Sequence, residues 1–84
     1  MPYIEADARP SLDDHSRTPG TPGELNYAIT RLVLEFIHNQ GGMSYTTANA
    51  AIGVLECTKL ELYRRMISPY EDRKIADNGD VYPM

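Results

Sequence analysis

The segment from Ser44 to Ser68 constrains the chain most, because a helix formed there is apolar on more than one side. Ala48, Ala51, Ile52, Leu55, Leu62 and Met66 recur at helical spacing and form one stripe, while Val54, Cys57, Leu60 and Ile67 point elsewhere. A helix that is hydrophobic nearly all round is normally buried. Gly41-Gly42 makes a tight turn before the segment, and Pro69 pushes Ser68 out of helical geometry after it. At about 1.5 Å per residue the helix is roughly 36 Å long.

Only one other long helix is available to cover it. Thr21-Pro22-Gly23-Glu24 reads as a start signal: a Thr N-cap, Pro at the first helical position, and Glu placed to reach back to the cap's N–H. Leu25, Ala28, Ile29, Leu32, Val33, Phe36 and Ile37 then lay an apolar stripe that runs to about Gln40. A shorter helix is expected over Tyr70 to Ala76, closed by a left-handed cap at Asn78-Gly79, with a short extended tail after it. Residues 1–20, with Pro2, Pro10, Pro19 and Gly20, read as an irregular arm with one short helical turn at Pro10 to Asp14. The expected fold is therefore all-α: an arm over 1–20 and a helical domain over 21–84. The domain is an antiparallel helical hairpin plus a short C-terminal helix. The first long helix covers one side of the second, so the remainder calls for the arms or another copy, and a helical homo-oligomer is expected.

Size points the same way. A chain of 84 residues forms one small domain that buries only about 60% of the surface of its unfolded state. The lone Cys57 excludes an internal disulfide, and one Cys with two His is too few for a closed zinc site, so no metal staple and no cofactor is expected. No apolar run approaches the length of a membrane span, and Met1-Pro2-Tyr3-Ile4-Glu5 lacks the features of a signal peptide, so a cytoplasmic location is expected. The formal charge of -4 argues against general DNA affinity.

Charged and aromatic residues interrupt the apolar helix. Glu56, Glu61, Tyr63, Arg64 and Arg65 fall on what should be its most buried part, where each charge costs several kcal/mol unless paired. Glu61 precedes Arg64 by three and Arg65 by four, so part of this is an ordinary intrahelical ion pair, and a structural salt-bridge network across a helix interface is the plain reading. The functional reading is an anion site in which Arg64 and Arg65, with Lys74 near them, hold a phosphate while Tyr63 or Tyr70 stacks on a base. Adjacent arginines diverge by about 100°, so such a site belongs between protomers. Asn26, Tyr27 and Arg31 give the first helix a polar face, read as solvated or as a partner surface. Cys57, in mid-helix, reads as a packed thiol with no base to activate it. His15 and His38 have no nucleophile near them in sequence, and Glu56 and Glu61 point to different sides of the helix, unlike the carboxylate cluster of a Mg²⁺-dependent nucleotide hydrolase. Gly41-Gly42 follows no strand and is no phosphate cradle. An enzyme is not expected.

Three stretches together resemble an uncharacterised family of small proteins from tailed phages, prophages and bacteria. They are Gly23-Glu24-Leu25-Asn26-Tyr27-Ala28-Ile29-Thr30; Gly53-Val54-Leu55-Glu56-Cys57 with Glu61-Leu62-Tyr63-Arg64-Arg65; and Pro69-Tyr70-Glu71 with Lys74 and Asn78-Gly79-Asp80-Val81-Tyr82. The resemblance covers residues 21 to 82 and transfers no activity. It implies a mobile-element setting, in which small helical oligomers sequester immune signalling nucleotides or inhibit host proteins. The functional expectation is non-enzymatic sequestration of a small anionic ligand such as a cyclic nucleotide, with a module that inhibits a host protein as the alternative and a nucleotide-processing enzyme as the third reading.

Overall fold

A computed structural model describes residues 1–83, and every regular element among them is helical. They fall into two compact units, residues 1–51 and the chain from Ile52 onward. The first unit holds a 3₁₀ turn (Ala6–Ala8), α1 (Arg9–Asp13), α2 (Pro22–Asn39) and the first turns of α3 (Tyr45–Leu62). The second holds the rest of α3, a π-helical stretch (Tyr63–Ile67) and α4 (Ser68–Asn78).

The residues that start and stop α2 and α3 act largely as their types dictate. Thr21 is extended, and its Oγ1 accepts the Glu24 N–H at 3.1 Å with Pro22 opening the helix. The Glu24 carboxylate does not reach back to the Thr21 N–H as the sequence suggests. It accepts both ends of the Arg17 guanidinium at 2.8 Å and the Gly20 N–H at 2.9 Å, because a bidentate charge-assisted pair outcompetes a neutral amide. At the far end of α2, the Gly42 N–H donates to the Ile37 carbonyl and the Gly41 N–H to that of His38, a Schellman closure that needs the positive φ of 97° at Gly41. α3 opens on a reciprocal box in which the Ser44 N–H donates to Thr47 Oγ1 at 2.9 Å and the Thr47 N–H to Ser44 Oγ at 3.1 Å.

The short helical turn expected at Pro10 to Asp14 is α1, Arg9–Asp13, with a 3₁₀ turn before it, and the arm packs on α2. Leu12 of α1 is 3% exposed and Tyr27 of α2 is 8% exposed, and the two helices pack on each other. Arg9 donates to the Ile4 carbonyl at 2.9 and 3.2 Å and lies 5.6 Å from the Tyr27 ring centre. A Cβ on Gly23 would meet the Met1 carbonyl at 3.3 Å and Ile4 at 3.5 Å, so a side chain there would require the arm to give by a few tenths of an ångström. The prolines that suggested irregularity limit the arm to single turns, and these turns pack.

The Arg17 pair holds the Glu24 carboxyl down from 4.5 to about 2, with the Gly20 N–H helping. A carboxylate whose folded pKa is depressed stabilises the fold above its unfolded value and loses that contribution as pH falls through the folded one. The melting temperature of the wild type is expected to drop between pH 4.5 and about 2. Glu24→Gln should melt lower than wild type at pH 7 and be flatter across the acid window. Parallel melting curves from pH 7 to pH 2 would remove this tie from the account.

At Pro69 the helix does not break. The turn over Tyr63–Ile67 widens so that the Ser68 N–H donates to the Tyr63 carbonyl, five residues back. Pro69 then sits in the first turn of α4, where its missing N–H costs little. A change of helical register replaces the expected stop. α4 consequently starts at Ser68 instead of Tyr70 and continues to Asn78 instead of Ala76. Gly79 ends it with its N–H on the Ile75 carbonyl at 2.8 Å. Its φ of 88° and ψ of 145° lie in the glycine-only extended mirror region and not in the left-handed helical well expected of the cap.

The buried residues among those described are Leu12, Tyr27, Thr47 and Ala51, all in the first unit. From Ile52 onward no described residue is buried.

Candidate functional site

The residues expected to hold an anion lie in the second unit, on the π-helical stretch and α4. Burial is not what sets their environment. Arg64 and Arg65 keep 69% and 70% of their side-chain surface exposed, against the expectation of a buried helix centre. The sequence could not show this, because it shows that a helix is apolar and not whether its own chain covers it.

Arg64 Nη2 donates to both Glu61 carboxylate oxygens at 2.9 and 3.2 Å, and Arg65 Nη1 lies 3.8 Å from the same group. Glu56 pairs with Lys59 at 3.0 Å. These are exposed intrahelical pairs at three- and four-residue spacing, each worth a few tenths of a kcal/mol. In the single chain both guanidinium groups lean on one carboxylate of their own helix, the ordinary intrahelical pairing that their spacing suggests.

Tyr63 and Tyr70 are separately engaged. The Tyr63 hydroxyl donates to Glu71 at 2.9 Å, and that carboxylate pushes the phenol's pKa up. Tyr70 has Lys74 Nζ at 5.5 Å and the Arg73 guanidinium at 5.8 Å from its ring centre. Among the described residues, the five expected site residues therefore fall into three local groups: Arg64 and Arg65 on Glu61, Tyr63 on Glu71, and Tyr70 with Lys74. Arg73 joins the last, and its three-residue spacing from Tyr70 was the available signal. Lys74 also borders a cleft of about 280 Å³ that Ile75, Val81 and Tyr82 help to line.

The polar face of α2 is only partly a surface. Tyr27 is not a partner contact, because its ring is buried under the arm and its hydroxyl donates to Asp13 at 2.7 Å. Burial pushes its pKa up, with Asp13 adding to the shift. Arg31 Nε lies 3.5 Å from the same Asp13 carboxylate while its side chain stays 45% exposed, so of the three residues Asn26 and Arg31 remain at the surface and Tyr27 does not. The missed signal is Leu12-Asp13, an apolar residue followed by an acceptor, one chain reversal before Tyr27 and Arg31. Cys57 is exposed and not packed.

Among the described residues no group of three His, Cys, Asp or Glu side chains could hold a metal ion. None of the described helices is long and apolar enough to cross a membrane. A family model described as a domain of unknown function, DUF6899, matches residues 1–81. The match takes in the arm as well as the stretch from residue 21 onward. No curated protein and no solved structure matches the chain.

Proposed function

For a chain that belongs to the DUF6899 family, we propose non-enzymatic binding work done by a helical homo-oligomer assembled through α3 and α4. Uncovered apolar side chains carry this reading. Within the unit from Ile52 onward no described residue is buried, and large apolar side chains stand open: Ile52 is 65% exposed, Met66 65% and Leu60 57%. Isolated helices owe most of their stability to packing of an apolar face. The antiparallel hairpin expected from the sequence is, in this reading, completed within the assembly, where the stripe of α2 also finds cover.

A second reading, retention of a small anionic ligand such as a cyclic nucleotide, is favoured by Tyr70 with its two flanking cations, of which Lys74 also borders an open cleft. Glu61 already engages Arg64 and Arg65, so the ligand would rest first on Tyr70, Arg73 and Lys74, with Tyr63 next to them in sequence order on the same helical stretch. Inhibition of a host protein through α2 loses support with Tyr27 buried and Arg31 paired. Native mass spectrometry of the protein purified from cells should give a defined oligomer, and a retained nucleotide-sized mass would identify the ligand. Tyr70→Ala with Lys74→Ala should then strip that mass and leave the subunit number unchanged. A bare monomer would sink both readings and direct the search to a protein partner.

A further inference from the structure

Resting on the anion retention just given as the second reading, we infer that the cleft between α4 and the tail is the base pocket of that site and that its ligand is a guanine nucleotide. The walls are Glu71, Lys74, Ile75 and Asn78 of α4 and the tail from Gly79 to Tyr82. All of them lie in the unit from Ile52 onward, so that unit alone shapes the cleft. Two local devices build it. Gly79, with φ 88° and ψ 145°, takes a conformation that only glycine adopts readily and turns the chain out of the helix. The Tyr82 N–H then donates to Asp80 Oδ1 at 2.9 Å, an Asx-turn that fixes the tail. The volume of about 280 Å³ lies just below the roughly 300–1,000 Å³ of small-molecule sites, which is room for one base and not for two.

The polar groups select the base. Lys74 borders the cleft with its ammonium 5.5 Å from the centre of the Tyr70 ring, which Arg73 also flanks, so the cations stand toward the start of α4. Asn78, one turn on and about 6 Å along the axis, and Asp80 after it stand toward the end. A nucleotide laid along α4 puts its phosphate on Arg73 and Lys74 and its base against Ile75, Val81 and the Tyr82 ring, with the outer edge of the base on Asp80. An ionised carboxylate only accepts hydrogen bonds, and each of its oxygens has two lone pairs, so Asp80 accepts from a ligand beside the Tyr82 N–H. Guanine carries two adjacent donors on its pairing edge, the ring N1–H and the 2-amino group, and these match the two oxygens of one carboxylate. Adenine carries an acceptor at the same ring position, which a carboxylate repels. The second carboxylate of the cleft, Glu71, is held by the Tyr63 hydroxyl at 2.9 Å and adds to the preference for a donor-bearing ligand.

Calorimetric titration of the full chain with cyclic GMP, cyclic IMP and cyclic AMP tests this. Cyclic GMP should bind at least tenfold more tightly than cyclic AMP, because a site built to accept hydrogen bonds rejects an analogue that lacks the donors. Cyclic IMP, without the 2-amino group, should fall between them. Asp80→Asn keeps an acceptor for the Tyr82 N–H, so the turn persists, but it offers the ligand one donor and one acceptor, the pattern that adenine complements. The variant should bind cyclic GMP at least tenfold more weakly than wild type and cyclic AMP no more weakly. Equal binding of the two, a preference for cyclic AMP, or an affinity for cyclic GMP that Asp80→Asn leaves unchanged overturns guanine recognition and leaves anion retention standing. Binding of none of the three overturns both.

Discussion

Replacing Leu62 and Met66 together with Asp is expected to turn the assembled protein into a monomer and to melt the helix from Ile52 onward, while residues 1–51 keep their fold. The two side chains sit four residues apart on one face and are 52% and 65% exposed in the single chain. Burial of one such side chain contributes about 1.5–3 kcal/mol, so four of them in a dimer contribute roughly 6 kcal/mol or more. That corresponds to at least about four orders of magnitude in dissociation constant. The aspartates add the cost of burying unpaired carboxylates to what is lost. Sedimentation should show the mass halve or fall further. Hydrogen exchange should show the amides of α3 beyond Ala51 and of α4 lose protection, because a helix with no buried residue has little besides its partner to hold it. Unchanged mass and unchanged protection would overturn the proposed assembly through this face.

The same contrast between the two units explains what could be read from the sequence. Local signals were legible: Thr21, the Gly41-Gly42 turn and Ser44 each act through atoms within a few residues, and each helix begins and ends close to where its cap lies. Pro69 misled because the rule that it breaks a helix concerns the α register alone, and a single π turn before it satisfies the same geometry. The charged residues misled for a different reason. The apolar stripe around Glu61, Arg64 and Arg65 calls for cover by the first helix, the arms or another copy, and among the described residues only four are buried, none of them beyond Ala51. Periodicity identifies a face that wants cover and is silent on which molecule supplies it.

Tyr27 inverts that error. Its neighbours Asn26, Thr30 and Arg31 make a polar face by spacing, and the helix that packs over it, α1, lies upstream in a stretch that composition marks as irregular. Long-range pairing of that sort leaves only the weak signature of Leu12-Asp13. It rests on a side chain of the right size in a single helical turn, and the consequence can be measured.

Leu12→Ala is expected to cost the first unit about 2–5 kcal/mol, the range for removing a buried leucine from a core that cannot close over the gap. Leu12 is 3% exposed, and Tyr27, the buried residue of the helix on which α1 packs, is held in place by its hydroxyl bond to Asp13. Against a typical total of 5–15 kcal/mol, the loss is a large fraction of the stability of a small domain. The arm should detach first, since α1 has only five residues and Leu12 is its one buried side chain. Its detachment breaks the Tyr27 hydroxyl bond to Asp13 and uncovers the Tyr27 ring beneath Arg9. Thermal melting should therefore show a drop of several degrees, and hydrogen exchange should show residues 6–17 losing protection before α2 does. Tyr3→Ala, at a side chain 78% exposed in the same arm, is the matched control and should leave both readings within error. If the two variants behave alike, the arm is held by its backbone and by Arg9 and Arg17, and the contact between Leu12 and α2 contributes little to the fold.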